Sequence, residues 1–176
     1  MITVGDVVQV LAQWVPPDAE QEQRRDEYLQ FLTEHSAGIW RSCAAGHITA
    51  SALVMNEPRD HVLLTLHPKV GRWLQLGGHI ERDDRGLQQA ARREVIEECG
   101  ITPSRMSAAP LRLDRHPVPC AGRMSEHLDV QYLALVPADA QPVISSESLD
   151  LAWFPMTDLP HGLDGSVQAL IAAART

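Results

Sequence analysis

The spacing of hydrophobic and polar residues changes about a quarter of the way along the chain. Before that point, residues 5–14 repeat apolar side chains at helical intervals, and residues 16–35 open with Pro-Pro and a candidate N-cap, Asp18. The buried side of this second segment is predicted to carry Tyr28, Leu29, Phe31 and Leu32. We therefore expect a helical N-terminal extension over residues 1–45 and a main domain over residues 46–176.

The main domain shows the pattern of short strands separated by turns. Residues 47–56 and 61–67 flank the turn-rich sequence EPRD and predict a hairpin, and residues 71–78 predict a strand that ends at a glycine pair. The further predicted elements are a helix over about 84–99, strands over 111–119, 127–137 and 149–156, and a helix over 165–175 capped by Asp164. This mixture predicts an α+β domain with helices packed on a mixed sheet.

Composition and charge restrict the classes of function. The 176 residues are 44% hydrophobic and 22% charged, as in a globular domain with its own core. The net charge of -8 argues against a general nucleic-acid binder but allows a small phosphorylated substrate, because a bound metal ion inverts the local charge. The spacing of the three cysteines suggests neither a disulfide framework nor a zinc site, and we find no leader or membrane-length apolar run. We therefore expect a cytoplasmic protein without nucleic-acid or membrane partners.

Three carboxylates crowd the end of the predicted helix over 84–99. At the helical rotation per residue, Glu94, Glu97 and Glu98 span an arc of about 100° and share one face. Their repulsion costs about 0.2–0.5 kcal/mol per pair, and Arg93 offsets only part of it. One interpretation is a solvated acidic surface. The interpretation that we favour is a rigid set of oxygen ligands for a hard divalent cation such as Mg²⁺, because the cluster borders the apolar side of the helix.

This cluster belongs to a longer motif. Residues 77–101, GGHIERDDRGLQQAARREVIEECGI, resemble the signature of the Nudix hydrolases, G-x5-E-x7-R-E-U-x-E-E-x-G-U, in which U is an apolar residue. The matching residues are Gly78, Arg93, Glu94, Val95, Glu97, Glu98, Gly100 and Ile101. Asp84 replaces the first glutamate of the signature, and one extra residue separates it from Arg93. Asp84 can still accept the ion pair or form the cap that the family's glutamate provides.

The resemblance implies a Nudix-type α/β/α sandwich over roughly residues 45–160. It also implies that Mg²⁺, with Mn²⁺ as an alternative, bridges a diphosphate, polarises phosphorus and lowers the pKa of an attacking water. The metal ligands and catalytic residues that it implies are Glu94, Glu98, Glu97 and the carbonyl region of Gly78. Arg93 is expected to orient the glutamates.

Residues outside the motif are candidates for the general base and for substrate contacts. Glu147 precedes the last strand, at a position where Nudix enzymes often recruit a further acid, and Glu126 and Asp129 are rival candidates. The candidate substrate contacts are His79, Arg72, Lys69, His127 and Asp129, with Trp73 and Trp153 as candidates for base stacking. A purely structural role is the alternative for each of them.

The leading interpretation is a Mg²⁺-dependent pyrophosphohydrolase that cleaves a nucleoside diphosphate linked to another moiety X. One alternative is a non-catalytic nucleotide sensor with a Nudix-like domain, although such domains tend to lose the motif glutamates. A second alternative is isopentenyl-diphosphate isomerase, which would need a catalytic cysteine near the glycine pair, whereas Cys43 and Cys99 lie elsewhere. The N-terminal helices are candidates for a homodimer interface or a cover over the pocket.

Overall fold

The computed structural model describes residues 1–120, 122–146 and 148–175. The helices are α1 (Val4–Gln13), α2 (Ala19–Glu34), α3 (Leu87–Cys99) and α4 (Gly165–Ala173). The strands are β1 (His47–Asn56), β2 (His61–Leu66), β3 (Trp73–Leu74), β4 (Leu76–His79), β5 (Arg105–Met106), β6 (Arg112–Cys120), β7 (Arg123–Val136) and β8 (Asp150–Pro155). Within the described ranges, no helix has both the length and the apolar character needed to cross a membrane.

Strands β1 and β7 form the centre of a mixed sheet. They pair in parallel along the whole of β1, and the other strand pairings are antiparallel. On the side away from β7, the first half of β1 pairs with β4 and the last residues of β1 pair with β2. Strand β2 in turn pairs with β3 and β8. The other edge of β7 pairs with β6 and β5. The hairpin predicted over 47–67 and the mixed sheet are therefore confirmed.

The register of β1 and β7 divides one face of the sheet into a polar half and an apolar half. The polar pairs on this face are His47–His127, Thr49–Asp129 and Ser51–Gln131, and the apolar pairs are Leu53–Leu133 and Met55–Leu135. Because side chains alternate between faces along a strand, every second residue of each strand lies on this face, and the register pairs polar residues of β1 with polar residues of β7 and apolar with apolar. Only the apolar half of this face needs a helix to cover it.

Helices cover both faces of the sheet and give an α/β/α sandwich. The apolar half of the divided face packs against Val167, Leu170 and Ile171 of α4. The opposite face is apolar along the length of β1 and packs against α1, α2 and α3. The predicted fold class is therefore confirmed.

The two N-terminal helices contribute to the same core as the sheet. The side-chain amide of Gln21 in α2 is fully buried and bonds to both backbone groups of Leu113, as a neighbouring strand would. Its Oε1 accepts the N–H of Leu113 at 2.7 Å, and its Nε2 donates to the Leu113 carbonyl at 3.2 Å. The hydroxyl of Tyr28, also fully buried, donates to the Asp114 carbonyl at 2.6 Å. These bonds join α2 to the edge of β6, and they keep polar backbone groups paired inside the protein.

The single strand predicted over 71–78 is two strands in the structure. Strand β3 pairs with β2, whereas β4 pairs with β1, so the chain changes partners between them. The change occurs at Gln75, whose side-chain amide donates to Asp129 at 3.2 Å. Beyond it the backbone runs close to β1, because a Cβ on Gly77 would lie 2.5 Å from the Cα of Ser51. Only glycine fits this approach.

Helix α3 begins at Leu87, later than the predicted start at about 84. The side chain of Asp84 does not cap the helix, because it accepts the backbone N–H of Glu81 at 2.8 Å and binds Arg93 instead. Gly86 therefore occupies the N-cap position without a side-chain hydrogen bond. The predicted end is confirmed, since Gly100 closes the helix in the left-handed conformation at φ 70°.

Candidate active site

Arg93 organises the start of the site by binding four groups at once. Its Nε and Nη2 donate to the two carboxylate oxygens of Asp84, both at 3.0 Å, and its Nη1 donates to Glu94 at 2.9 Å and to Glu97 at 2.8 Å. Its Nη2 also donates to the His79 carbonyl at 2.8 Å. Burial opposes the charge, but the bonds to Asp84 and the Glu94 carboxylate raise the pKa of Arg93 above its usual value. Of the two roles predicted for Asp84, an ion pair or a helix cap, the structure shows the ion pair, and its partner is Arg93.

Two of the three clustered glutamates face inward, toward the glycine pair. Glu94 and Glu98 are buried, whereas the side chain of Glu97, at the edge of the same helical arc, is 55% exposed. The N–H of Gly77 donates to Glu98 Oε1 at 3.2 Å. A Cβ on Gly78 would lie 2.7 Å from Glu94 Oε1. The carboxylate oxygens of Glu94 and Glu98 thus lie beside backbone that carries no side chain, and such oxygens are the ligands that a hard divalent cation prefers.

The missing side chain at Gly78 leads to a prediction. We expect Gly78→Ala to displace the Glu94 carboxylate, since the added Cβ would lie 2.7–2.8 Å from its atoms, and so to weaken Mg²⁺ binding about 10-fold. The free energy of unfolding should change little, because the carboxylate is the mobile end of a flexible side chain. Calorimetric Mg²⁺ titration and urea unfolding measure the two quantities.

The matched control is Gly86→Ala. Gly86 lies in the same loop–helix segment, and a Cβ placed on it would have nothing within 4 Å among the described residues. Its Mg²⁺ affinity should equal that of the unaltered protein. Equal affinities for Gly78→Ala and Gly86→Ala would show that the Glu94 carboxylate does not need the space at Gly78.

On the divided face of the sheet, the carboxylate of Asp129 accepts hydrogen bonds from four polar side chains. It accepts from the hydroxyls of Thr49 at 2.9 Å and Ser51 at 2.6 Å, and from the amides of Gln75 at 3.2 Å and Gln131 at 3.3 Å. Burial raises the pKa of Asp129, and the bonds from Ser51 and Thr49 oppose that rise. Asp129 is thus a fixed acceptor in the polar half of this face.

Four histidines from four adjacent strands lie next to this carboxylate. The ring centroids of His47 and His127 are 4.8 Å apart, those of His47 and His79 are 5.0 Å apart, and those of His116 and His127 are 5.6 Å apart. Burial and then the charge of His47 lower the pKa of His79 to about 4 and that of His127 to about 3. In contrast, a hydrogen bond to Asp114 raises the pKa of His116. His79 and His127 are therefore neutral imidazoles at pH 7.

Two of the other predicted polar residues, Arg72 and Glu126, are paired with protein groups. Arg72 Nη1 donates to the carboxylate of Asp164 at 3.2 Å, at the start of α4. Glu126 accepts from Arg115, whose Nε lies 2.9 Å away. Lys69 is exposed on the connection between β2 and β3. Glu147, the predicted outer acid, lies outside the described residues.

The two tryptophans considered for base stacking take part in core packing. Trp73 packs edge-on against Phe154, with ring centroids 4.8 Å apart, beside the core under α4. Trp153 packs against the core on the opposite face. Both are half-buried, so each contributes apolar area to the fold.

Several residues in the polar half of the divided face were not predicted from the sequence as site residues. They are His47, Thr49 and Ser51 on β1, His116 on β6, and Gln131 on β7. A signal was present in HITAS and HLDVQ, where polar residues alternate with apolar ones in otherwise apolar strands. That alternation indicates one polar face, and the parallel register then brings the two polar sets together.

Comparison with known proteins agrees with the motif and with the fold. A sequence model of the NUDIX domain matches residues 45–173. A comparison with proteins of curated function finds no match. The chain belongs to the NUDIX domain family, as the sequence predicted.

Solved structures share this fold at low sequence identity. The NUDIX domain of Shewanella oneidensis NrtR, complexed with ADP ribose, is 24% identical, with a TM-score of 0.59 over 83% of this chain and 95% of that one. A NUDIX family hydrolase from Clostridium perfringens is 24% identical, with a TM-score of 0.55 over 73% and 94%. A C. elegans Ap4A hydrolase in a binary complex is 17% identical, with a TM-score of 0.56 over 73% and 94%.

Proposed function

We propose that this member of the NUDIX domain family is a Mg²⁺-dependent hydrolase that cleaves a nucleoside diphosphate linked to another moiety X. The observation that carries the proposal is the pair of buried carboxylates, Glu94 and Glu98, turned toward the backbone of Gly77 and Gly78. Arg93 contacts the Glu94 carboxylate, and it is one positive charge beside two buried carboxylates, so a divalent cation bound there would balance the remaining negative charge. A diphosphate is the substrate group that such a cation would bridge.

The residues of α3 and the glycine pair would have two roles at this site, metal binding and the orientation of the metal ligands. Glu94 and Glu98 would hold the metal, with Glu97 and the Gly78 carbonyl as further ligands. When bound, Mg²⁺ would neutralise charge on the diphosphate and lower the pKa of a coordinated water. Arg93 fixes the orientation of the Glu94 carboxylate through the 2.9 Å bond to its Nη1, while Asp84 holds the other side of the guanidinium.

The polar half of the sheet is our candidate for the part of the substrate beyond the diphosphate. The half-buried rings of His79 and His127 offer nitrogen atoms to polar groups of a nucleotide, while Asp129 and Gln131 beside them are paired with each other. The NUDIX domain from Shewanella oneidensis binds ADP ribose, and the protein from C. elegans is an Ap4A hydrolase. ADP ribose and Ap4A are both adenine nucleotides whose phosphates are joined by anhydride bonds, which supports a substrate of this type.

Glu147 remains our candidate for the general base. Its rivals are engaged elsewhere, because Glu126 binds Arg115 and Asp129 accepts four hydrogen bonds. We expect Glu147→Gln to lower turnover about 100-fold, within the range of general-base catalysis, and Glu126→Gln to have a much smaller effect. Single-turnover rates at saturating Mg²⁺ measure both. The reverse order would assign the base to Glu126.

The experiment that tests the function is a substrate panel. Nucleoside diphosphate sugars, dinucleotide polyphosphates and nucleoside triphosphates are incubated with enzyme and Mg²⁺, and the products are identified by mass. Metal-dependent release of a nucleoside monophosphate is the expected result, and the preferred compound defines X. Tight binding of a nucleotide and Mg²⁺ without any product would instead favour the non-catalytic sensor.

A further inference from the structure

Three histidines face one another on the side of the sheet that is opposite to α3. His47, His79 and His127 each offer one ring nitrogen, and these three nitrogens lie within 4.8 Å of one another. The ring centroids of His79 and His127 are 5.2 Å apart, and His47 contacts both rings. The three residues come from β4, β1 and β7, so the sheet itself fixes their spacing.

This cluster is distinct from the carboxylate site, although β4 contributes to both. The missing Cβ of Gly78 points toward the Glu94 carboxylate. The next residue, His79, must point to the other face because side chains alternate along a strand. The chain therefore presents oxygen ligands on one side of β4 and nitrogen ligands on the other.

The chemistry of the three rings selects a kind of ligand. Imidazole nitrogens suit Zn²⁺ and its neighbours in the first transition row, whereas Mg²⁺ prefers oxygen. Around a tetrahedral Zn²⁺ with bonds of about 2.0–2.1 Å, the ligand nitrogens are about 3.3 Å apart. Binding would require the rings to rotate so that their nitrogens move from within 4.8 Å of one another to this spacing. In addition, the buried Nε2 of His127 has no hydrogen-bond partner among the described residues, which a metal ion would supply.

We propose that His47, His79 and His127 together bind one divalent transition-metal ion of the Zn²⁺ or Co²⁺ type. This site is additional to the Mg²⁺ site of the proposed function and does not depend on it. Three protein ligands leave a coordination position open, as in zinc sites that bind water or a substrate group. The carboxylate of Asp129, in the adjacent row of the sheet, adds negative charge near the ion.

Cobalt titration of the tag-free protein tests the proposal directly. Tetrahedral Co²⁺ with nitrogen ligands absorbs strongly in the visible range, whereas Co²⁺ in an octahedral oxygen site absorbs weakly. We expect one equivalent of Co²⁺ to produce the strong band and one equivalent of Zn²⁺ to abolish it. His79→Gln and His127→Gln, at half-buried positions, should each weaken Co²⁺ binding by more than about 10-fold.

Two control variants separate this site from other metal-binding groups. Glu98→Gln should keep the strong band, because it alters only the carboxylate site. His61→Gln should also keep it, because His61 lies outside the cluster and bonds to Asp60 at 2.7 Å. Circular dichroism and thermal unfolding establish that each variant is folded.

Several outcomes would overturn the proposal. They are a weak octahedral spectrum in the unaltered protein, a strong band that survives in both folded histidine variants, and a band that disappears in Glu98→Gln. If the histidine variants do not fold, the band of the unaltered protein and its retention in Glu98→Gln decide the matter. Because hydrolysis is not measured, failure of this proposal is distinguishable from failure of the proposed function.

Discussion

We expect Glu98→Gln to slow Mg²⁺-dependent hydrolysis by about 1,000-fold while leaving the protein folded. Glu98 is 8% exposed, and the substitution removes its negative charge while keeping its size and one carbonyl oxygen. The Gly77 N–H can still donate to that oxygen, so the glycine pair keeps its position. A metal ion supplies several kcal/mol of transition-state stabilisation, and about 4 kcal/mol corresponds to a factor of about 1,000.

The measurement is kcat/KM over a wide range of Mg²⁺ concentration. Glu97→Gln should have a smaller effect than Glu98→Gln, because its side chain is 55% exposed and is paired with Arg93. Glu34→Gln, on the outer surface of α2, is the control for loss of a glutamate charge and should match the unaltered enzyme. An unchanged rate for Glu98→Gln at every Mg²⁺ concentration would remove Glu98 from the site.

We expect Arg93→Met to lower the free energy of unfolding by about 3–5 kcal/mol, the cost of breaking a buried ion pair by removing one partner. Asp84, which is 1% exposed, would lose both bonds to the guanidinium. Glu94 and the His79 carbonyl would lose a donor as well. Methionine fills similar space, so the loss would come from unpaired charge and not from a cavity.

Urea unfolding of Arg93→Met and Arg92→Met measures this effect. Arg92 lies on the same helix, but among the described residues its side chain makes a single hydrogen bond, at 3.4 Å, to the Pro103 carbonyl, so its replacement should cost less than about 1 kcal/mol. Adding Asp84→Ala to Arg93→Met should recover part of the loss, because the stranded carboxylate is then gone. Equal stabilities for Arg92→Met and Arg93→Met would show that the ion pair contributes nothing net.

The ends of the helices could be predicted from the sequence, because capping residues and helix-ending glycines act on the backbone next to them. Asp18 and Asp164 cap their helices as predicted, and Gly100 ends α3. The carboxylate cluster was recognisable because Glu94, Glu97 and Glu98 lie close together on one helix, so no distant part of the chain had to be known. The resemblance to the family left an ion pair or a cap open for Asp84, and the structure shows the ion pair with Arg93.

Features that depend on pairing between distant strands were not predictable in this way. The division of residues 71–78 into two strands depends on which neighbour each half meets, and alternation of side chains does not reveal the neighbour. Strand β5 is two residues long and carries no periodic signal. The contact of His47 with His127 requires the parallel register of β1 and β7, which no local pattern specifies.

The register of β1 and β7 also affects how this enzyme can diverge. Thr49, Ser51 and Gln131 face the polar half of the sheet, while their immediate neighbours along each strand face the core under α3. All three side chains are almost fully buried and donate hydrogen bonds to the Asp129 carboxylate. A substitution at any one of them leaves this buried carboxylate with one donor fewer, so the three positions can change only in combinations that keep Asp129 hydrogen-bonded.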